Sequence, residues 1–548
     1  MKDYKKTIYD AAATALPELD ISDVTASDAF CDYCIPCFKF AKLLRKSPAA
    51  IAADAAGKVC VDGMTVEALN GYLNFTVDRK SRVEQLFEKR GEFKPLKGKT
   101  VCIDYSSVNI AKPFHIGHLM TTVIGGSLYK IYKALGANAV GINHLGDFGT
   151  QFGGLISAYK RRGSEERLNA RGLDELLELY VWYNGEAEKD AALAAEAREW
   201  SKKIEDGDEF AVRLFEKFKA ITLEQAKKVY DRLNIRFDSY LGESFYVDKV
   251  AAVEDKLKQK NLLATSDGAE IVEVGDGMPP ALIRRSDGAS LYIARDLAAA
   301  YYRKDTYDFD KCLYVVASHQ ALHFKQLFKT LELLGEPWAR DMVHVSYGMV
   351  SVEGMSLSTR RGNVLYLDDV LNAAVEKAAE IIEERNPGLS DKETVSESVG
   401  VGAVVFDALY DGRLKDKNFS LEAALNFDGE TGPYVQYTYA RCRSVLAKAG
   451  KCAGEPKAEH LTDDCAYEVV KLLVDFDEVV LSAAEKYEPS IVSRRLVKLC
   501  QAFNRFYNAD RIMCCNEIQR SRLALTERVA ETLKYGLSLV LLDAPERM

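Results

Sequence analysis

The stretch TVCIDYSSVNIAKPFHIGHLM, residues 100–120, decides the fold of this chain. Its first part, TVCIDYSS, is short, apolar and β-branched, and it predicts a buried strand. After the loop VNIAKP, apolar residues recur at helical spacing from Gly117 to Leu135, and Gly136 is a natural end for a helix. GANAVGINHLGD, residues 136–147, repeats the pattern of strand and polar turn. Strand, loop, helix and strand in this order predict a parallel α/β sheet.

The segments around this stretch divide the chain into three domains. Residues 1–97 mix helical periodicity with short apolar runs and end in the basic stretch KRGEFKPLKGK, which we interpret as a linker. From 98 to 367 the pattern is α/β, interrupted at about 159–235 by a charged helical insertion. From 368 to 548 it is almost entirely helical, so we predict a multidomain protein, α/β plus all-α. The α/β pattern after the insertion rests on the segments AEIVEVGD, ALIRRSDG, SLYIARDLAAAYYRK, CLYVVASHQ and MVHVSYGMV.

Composition excludes several classes of protein. Of the 548 residues, 48% are apolar and 28% are charged, which is the balance of a globular protein. The net charge of −9 argues against a polybasic protein but permits local basic patches. No segment has the ~20 uninterrupted apolar residues of a membrane span, and the first residues, MKDYKKTIYD, lack the apolar core of a signal peptide. We therefore expect a soluble, cytoplasmic protein.

Three of the twelve cysteines form a C-x-x-C-x-x-C pattern, which is typical of an iron–sulfur loop. These are Cys31, Cys34 and Cys37. The continuation that would supply a fourth ligand is absent, and Cys60 is the only other cysteine nearby. We interpret the three as small, half-buried residues at the start of a helix, FKFAKLLRKSP, with no metal and with any redox role left open.

Six of the seven histidines lie between residues 115 and 344, so we expect a site in the α/β region. None stands in an H-E-x-x-H pattern or beside a C-x-x-C pair, which argues against zinc. His115 and His118 are three residues apart at the start of a helix that follows a strand. Both imidazoles should therefore lie on one face, beside unpaired backbone N–H groups and the positive end of the helix dipole, where phosphate binds. Gly117 leaves room for a planar base against the backbone.

The sequence HIGH at 115–118 resembles the signature of class I aminoacyl-tRNA synthetases, and further blocks resemble the arginyl-tRNA synthetase family specifically. The resemblance runs from about residue 100 to 548, and CDYCIPCFKFAK and NGYLNF are similar, more loosely, to that family's N-terminal domain. The blocks that carry it are IDYSSVNIAKPFHIGHLMTT, NHLGDFGTQFG, LYIARDLAAA, MSLSTRRGNVLYLDDVL, GPYVQYTYAR and APERM.

The resemblance implies an enzyme that uses ATP to ligate L-arginine to tRNA(Arg) through an arginyl-adenylate, for protein synthesis. It implies a Rossmann-like catalytic domain over 98–367, a helical-bundle anticodon-binding domain over 368–548 and a small N-terminal α/β domain over 1–97 that contacts tRNA. ATP should bind at the carboxyl ends of the strands, near the switch point, with Mg²⁺ beside its phosphates. We expect a monomer, although the sequence leaves the oligomeric state open.

Two elements are implied to handle the phosphates. His115, Gly117 and His118 form the first, and the loop residues Ser358, Thr359, Arg360 and Arg361 form the second. This loop departs from the class I pattern, because Ser356 and Thr359 stand where the class has lysines. In many arginyl enzymes a lysine upstream of HIGH takes over, and Lys112 matches that position. The predicted catalytic residues are Lys112, His115, His118, Arg360 and Arg361.

An arginine pocket needs carboxylates for the guanidinium fork and an aromatic or apolar wall for the stem. Tyr292 and Asp296 are four residues apart and should share one helical face. Without the resemblance, a pairing of Asp296 with Arg295 would be the simpler interpretation. The residues that match arginine-binding positions of the family are Asp104, Asn109, His115, Tyr292, Asp296 and Gln320.

Aromatic and basic residues alternate in GPYVQYTYARCRSV, residues 432–445. Such a mixture suits unpaired bases, which stack on aromatic rings, although a half-buried tyrosine stripe in a helical bundle would give the same pattern. The residues implied to bind tRNA are Tyr434, Gln436, Tyr437, Arg441 and Arg443, together with Asn70, Tyr72 and Asn74 near the N-terminus.

Three alternatives remain open at the level of sequence. They are a class I synthetase for another amino acid, a nucleotidylyltransferase that never meets tRNA, and an RNA-binding relative without catalysis. The acidic pocket argues against another amino acid, and the helical C-terminal region argues against a nucleotidylyltransferase. The intact HIGH sequence argues against a relative without catalysis.

Overall fold

A computed structural model describes residues 4–27, 31–88, 92–110, 114–286, 291–352, 355–356, 366–450, 454–514 and 517–548. Its chain forms two compact units. The first consists of Met1–Glu92, Arg441–Asp477 and Lys498–Thr532, and the second of Phe93–Ala440, Glu478–Val497 and Leu533–Met548.

The N-terminal part of the first unit is a four-stranded antiparallel sheet covered by short helices. The strands lie in the order β1-β2-β4-β3, and their core includes Ile8, Ile35, Phe40 and Phe75. The elements are α1 (Tyr4–Ala12), β1 (Thr25–Ala26), β2 (Tyr33–Pro36), α2 (Ala41–Leu44), α3 (Pro48–Ala56), β3 (Met64–Leu69), β4 (Tyr72–Val77) and α4 (Arg79–Phe87).

The middle cysteine of the pattern lies on a strand rather than at the start of a helix, which corrects part of our interpretation. Cys34 lies in β2, opposite Asn74 of β4, and the thiol of Cys31 lies 3.3 Å from the amide oxygen of Asn74. Only Cys37 opens a helical turn, and it is buried. Within the described ranges, no group of three or more His, Cys, Asp or Glu side chains is placed to hold a metal ion.

The second unit contains a four-stranded parallel sheet in the order β11-β10-β5-β6, as predicted. The chain runs from β5 outward to β6 and later returns to the other side of β5, so the switch point lies between β5 and β10. The strands of this unit are β5 (Thr100–Asp104), β6 (Asn138–Ile142), β7 (Leu263–Ser266), β8 (Ala269–Val272), β9 (Ala281–Arg284), β10 (Lys311–Ala317), β11 (Met342–Tyr347), β12 (Val350–Val352), β13 (Met355–Ser356) and β14 (Lys417–Phe419).

Two predicted strands belong to another sheet. AEIV and ALIR, at the starts of their segments, form β8 and β9 of a small antiparallel sheet with β7, outside the parallel sheet. The predicted helical insertion is present and begins already at Thr150. The helices from this region to the end of the α/β part are α5 (Leu119–Ala134), α6 (Thr150–Arg162), α7 (Glu165–Arg171), α8 (Leu173–Ala187), α9 (Ala191–Glu205), α10 (Glu209–Arg232), α11 (Glu243–Tyr246), α12 (Val250–Gln259), α13 (Tyr292–Tyr307) and α14 (Ala321–Leu334).

The C-terminal region is helical, as predicted, with the short strand β14 as an addition. β14 pairs in parallel with β12, which pairs antiparallel with β13. The helices are α15 (Leu367–Arg385), α16 (Lys392–Tyr410), α17 (Leu421–Ala424), α18 (Gly432–Ala449), α19 (Asp464–Val474), α20 (Phe476–Glu485), α21 (Ser490–Ala509) and α22 (Glu517–Leu539).

A buried arginine joins α4 to the helical part of the first unit. Arg82 is 2% exposed, and its guanidinium donates to Asp32 at 2.6 Å and to Asp475 at 3.1 Å. One turn earlier, Arg79 donates to the carbonyl of Thr462. Because a buried cation is tolerated only when it is paired, these contacts fix α4 against the C-terminal helices.

Helix α5 packs tightly against the strands that carry it. The hydroxyl of Thr121 donates to the carbonyl of Val315 in β10 and accepts from the backbone N–H of Ser106 after β5. Gly125 permits this approach, because a Cβ at its position would lie only 2.2 Å from the Cβ of Tyr105. The start of α5 is thereby held beside the ends of β5 and β10.

We predict that Gly125→Ala destabilises the protein by about 1–3 kcal/mol through overpacking. The matched control is Gly185→Ala in α8, where a Cβ meets no atom within 4 Å and the better helix former should stabilise slightly. Thermal unfolding of the parent and both variants measures the difference. Equal melting temperatures for the parent and Gly125→Ala would contradict the packing argument.

Candidate active site

Polar side chains gather where the parallel strands end. Asp104 is the last residue of β5, His144 follows β6, and a 3₁₀ turn, Ser318–Gln320, leads from β10 into α14, which carries His323. The carboxyl ends of strands beside a switch point form the crevice where α/β proteins bind ligands. This edge is therefore the candidate active site.

His115 and His118 lie together at the entrance to α5, as their spacing predicted. His115 caps a 3₁₀ turn, Ile116–His118, and its Nδ1 accepts the N–H of Gly117 at 3.1 Å. The N–H of His115 donates in turn to Nδ1 of His118, and the ring centroids are 3.7 Å apart. With both Nδ1 atoms acting as acceptors, the neutral rings carry their protons on Nε2, where they can donate to a ligand.

Gly117 serves this arrangement directly. A Cβ at Gly117 would lie 2.8 Å from Cε1 of His115, so a larger residue would displace the imidazole. The other predicted phosphate-handling residues, Lys112, Ser358, Thr359, Arg360 and Arg361, lie outside the described residues, and their roles stay predictions.

Asp104 already binds a guanidinium that belongs to the chain. Its Oδ2 accepts from Arg303 at 2.7 Å, and its Oδ1 accepts from the hydroxyl of Ser107 at 2.7 Å. Both Asp104 and Arg303 are buried. Sequence reasoning did not single out Arg303, which lies seven residues after Asp296 on the same side of α13.

Asp296 is the carboxylate that faces the crevice, since its side chain keeps 27% of its exposure. Its Oδ2 lies 2.7 Å from Nε2 of His323, and its Oδ1 lies 3.8 Å from Nε2 of His144. Although burial opposes ionisation, the hydrogen bond and charge of His323 lower the pKa of Asp296, and the carboxylate raises the pKa of His323 against its own burial. Asp296 is therefore held as a carboxylate.

Tyr292 and Asp296 both lie on α13, as predicted, and Tyr292 is largely exposed. The alternative pairing of Asp296 with Arg295 is absent from the described contacts. Arg295 instead binds Glu243 at 3.0 Å, and its guanidinium lies against the rings of Phe148 and Tyr292.

Glu243 is a second carboxylate of the site that sequence reasoning missed. It opens α11 and is mostly buried. Burial raises its pKa to about 7 against the opposing charge of Arg295, and the nearby carboxylate of Asp296 adds to the rise. The sequence carries no sign of this proximity, because Glu243 and Asp296 lie on different helices of the α/β region.

Asn109 and Gln320 lie at the same edge but stand apart from these ion pairs. Asn109 forms an isolated bridge with Gly146 in the loops after β5 and β6, and Gln320 ends the turn after β10. Both side chains are exposed.

The predicted tRNA-binding residues near the N-terminus cluster on the β3–β4 hairpin. Asn70 and Gly71 form its turn with positive φ angles, which an Asn-Gly pair adopts readily. Tyr72 lies edge-on against Phe38, and Asn74 is half-buried on β4.

The remaining predicted tRNA-binding residues lie on α18. Within the first unit, Arg441 donates to Asn504 and covers the ring of Tyr507, while Arg443 is exposed.

The part of α18 in the second unit carries Tyr434, Gln436 and Tyr437. Tyr434 is half-buried and Tyr437 is exposed. Gln436 is fully buried, and its amide donates to the carbonyls of Ser398 and Asp543. Its side chain is thus an internal tie between helices and does not lie on a surface that tRNA could reach.

Comparisons with known proteins identify three segments of the chain. A family model described as tRNA synthetases class I (R), catalytic domain, matches residues 82–421. The DALR anticodon binding domain matches residues 435–548, and the arginyl tRNA synthetase N terminal domain matches residues 2–77. The parallel sheet, its insertion and the crevice thus lie in a class I aminoacyl-tRNA synthetase domain.

Full-length relatives narrow the assignment. Proteins named arginine–tRNA ligase from Alkaliphilus metalliredigens and Clostridium acetobutylicum are 45% and 46% identical to this chain, with 100% of each chain covered. The arginyl-tRNA synthetase structure from Thermus thermophilus superimposes with a TM-score of 0.86 at 26% identity, covering 99% of this chain and 100% of the other. The chain belongs to the arginyl-tRNA synthetase family. Among its described helices, none is long and apolar enough to cross a membrane.

We predict that Glu243→Gln changes the pH dependence of stability. Because the folded-state pKa of Glu243, about 7, lies above the ordinary value of 4.5, the folded protein binds the extra proton, and this contribution to stability is lost as the pH rises from about 4.5 through 7. The parent should therefore lose up to about 3 kcal/mol relative to Glu243→Gln over that range.

Melting temperatures of the parent and Glu243→Gln between pH 5 and 8 test this. Glu273→Gln, at an exposed position, controls for the loss of one negative charge. A difference between the parent and Glu243→Gln that stays constant across the pH range would contradict the prediction.

Proposed function

We propose that this chain attaches L-arginine to tRNA(Arg) with ATP, through an arginyl-adenylate, for protein synthesis. The observation that carries the proposal is the Asp296 carboxylate, held by His323 at the carboxyl edge of the parallel sheet, with the Glu243 carboxylate beside it. Two carboxylates suit the planar fork of a guanidinium, which offers five N–H donors.

In the first step, a carboxylate oxygen of arginine attacks the α-phosphate of ATP, and pyrophosphate leaves with the electrons of the broken P–O bond. Negative charge spreads over the phosphate oxygens, so the protein contributes positioned donors rather than a nucleophile. His115, His118 and the backbone of Gly117 supply donors at the entrance to α5. Lys112, Thr359, Arg360 and Arg361 are the proposed additional phosphate contacts, with Ser358 beside them.

Mg²⁺ is proposed to enter with the phosphates of ATP. The described residues contain no three-ligand cage for a metal, and Mg²⁺ in nucleotide sites is typically bound through phosphate oxygens, water and at most one or two carboxylates. When bound, the ion would neutralise part of the charge on the departing pyrophosphate.

In the second step, the 2′-hydroxyl of the terminal ribose of tRNA attacks the arginyl carbonyl, and AMP leaves. The amino acid must stay in place between the steps, which is the task of the arginine pocket. We propose that Asp296 and Glu243 bind the guanidinium and that Tyr292 covers the stem. Asp104, Asn109, His115 and Gln320 are the remaining proposed arginine contacts.

For tRNA, we propose contacts by the β3–β4 hairpin, through Asn70, Tyr72 and Asn74, and by α18. Of the predicted tRNA-binding residues on α18, the exposed or half-exposed ones are Tyr434, Tyr437, Arg441 and Arg443. Within this proposal the domains are those of the sequence analysis, 1–97, 98–367 and 368–548, and the enzyme acts as a cytoplasmic monomer.

A charging assay tests the proposed function. The purified chain is incubated with ATP, one labelled amino acid at a time and total tRNA, and acid-precipitable label is measured. We expect label from arginine alone. Charging with a different amino acid, adenylate formation without transfer, and tRNA binding without charging would each support one of the three alternatives instead.

We predict that Asp296→Asn lowers kcat/KM for arginine by roughly 10²-fold or more, because it removes a half-buried negative charge that pairs with the substrate. Asp305→Asn, on an exposed turn of the same helix, is the matched control and should leave kcat/KM unchanged. Arginine-dependent charging kinetics give both values. An Asp296→Asn enzyme with the kinetics of the parent would remove Asp296 from the pocket.

We predict that Arg443→Gln weakens tRNA binding and reduces its salt dependence by about one phosphate contact. Arg340→Gln, at another exposed arginine, should do neither. Binding isotherms at two salt concentrations measure both effects, and curves for Arg443→Gln that overlay the parent would rule out this contact.

A further inference from the structure

The buried guanidinium of Arg303 lies behind the candidate arginine pocket. Arg303 is 1% exposed, and its neighbours are Asp104 at the end of β5, His144 after β6 and Tyr314 within β10. Its Nη2 lies 2.7 Å from Asp104 and 3.3 Å from Nδ1 of His144, and its Cζ lies 5.1 Å from the ring centre of Tyr314. Asp104 and Tyr314 are register partners on β5 and β10. A fully buried cation is costly unless such partners surround it.

The contact with His144 has a chemical consequence. A guanidinium can only donate, so Nδ1 of His144 must accept, and the proton of the neutral imidazole then sits on Nε2. The ring is stacked on Tyr246 with centroids 5.4 Å apart, which fixes its direction. Nε2 faces Oδ1 of Asp296, at 3.8 Å. Arg303 thus determines that the ring nitrogen of His144 facing Asp296, Nε2, is the one that carries the proton.

Resting on the proposed function, we propose that Arg303 is a positioning residue for arginine selectivity. It occupies Asp104 and holds His144 in the tautomer whose Nε2–H points at Asp296. Asp296 is hydrogen-bonded to His323 at 2.7 Å, and Nε2 of His144, a buried donor without a hydrogen-bond partner among the described residues, lies 3.8 Å from the other carboxylate oxygen and attracts the carboxylate from the opposite side. Asp296 then meets the substrate with its carboxylate already oriented. The guanidinium of Arg303 thus organises the site that binds the guanidinium of the substrate arginine.

A purely structural arginine would affect stability without affecting substrate affinity, so kinetics separate the two roles. We expect Arg303→Met to raise KM for arginine about 10–100-fold, by analogy with the loss of groups that orient the ligands of a bound metal, with kcat changing less than about threefold. Arg303→Lys should recover part of the affinity, because it keeps the charge but not the planar fork.

Arg82→Met is the matched control. Arg82 is an equally buried, ion-paired arginine in the first unit, so its loss should lower the melting temperature while leaving KM for arginine unchanged. If Arg303→Met folds, as judged by a cooperative thermal transition, and its KM lies within twofold of the parent, the positioning role is overturned.

The pH profile gives a second readout. His144 faces Asp104, Asp147 and Asp296 as well as Arg303. Removing the one cation among these neighbours should allow His144 to take up a proton more easily, and a protonated His144 would compete with the substrate for Asp296. KM for arginine in Arg303→Met should therefore rise more steeply below neutral pH than in the parent. Parallel profiles would contradict the proposal.

Chemical rescue gives a third readout, and Arg303→Lys, which keeps a cation beside Asp104, covers the case in which Arg303→Met fails to fold. Arg303→Ala assayed with millimolar guanidinium chloride should regain affinity for arginine, whereas the same ion should inhibit the parent by competing for the pocket. Inhibition of both proteins, or parent-like KM in Arg303→Lys at every pH, overturns the proposal. A parent that charges tRNA with another amino acid overturns the proposed function instead, so the two failures are distinguishable.

Discussion

The ion pair between Asp104 and Arg303 is the constraint on which the candidate site depends. Neither charge could be buried alone, since an unpaired ion in the interior costs several kcal/mol. The pair forms only if Asp104, at the end of β5, lies level with Tyr314 inside β10, as their register shows, and if α13 places Arg303 beside that point. The ion pair therefore requires the strand register, the placement of α13 and the direction of His144 together. The position of Asp296 on α13 depends on the same requirement.

Local patterns predicted the elements that build this edge. The alternation of a short apolar strand, a polar loop and a helix needs only neighbouring residues, which is why β5, α5 and β6 follow from residues 100–147. The spacing of His115 and His118 predicted that their imidazoles lie on one face, and the spacing of Tyr292 and Asp296 predicted that they share one helical face. Each of these predictions depends only on residues that are close together in the sequence.

Features that depend on contacts between residues far apart in the sequence could not be predicted from local patterns. Short apolar strands look alike in parallel and antiparallel sheets, so β8 and β9 gave no sign of their separate sheet. Glu243 carries no motif, and its closeness to Asp296 arises only from packing. Gln436 was predicted to contact tRNA but is buried. A helical pattern shows which residues share a face, but it does not show which face is covered by other helices. The amide of Gln436 is an internal donor rather than a group that reads RNA.

In the proposed function, the amino acid and the phosphates of ATP are bound by different sets of residues. The groups proposed to read the amino acid, Asp296 and Glu243, stand on helices and are fixed by buried partners. The proposed phosphate cations, Lys112, Arg360 and Arg361, lie outside the described residues. Charge alone suffices to stabilise phosphate oxygens, whereas discrimination requires that a wrong ligand leave a buried carboxylate unpaired, which costs far more than a missing apolar contact. A lysine side chain would offer the proposed carboxylates a single ammonium instead of a planar fork. Within the proposed function, selectivity for arginine is therefore assigned to the carboxyl edge of the sheet.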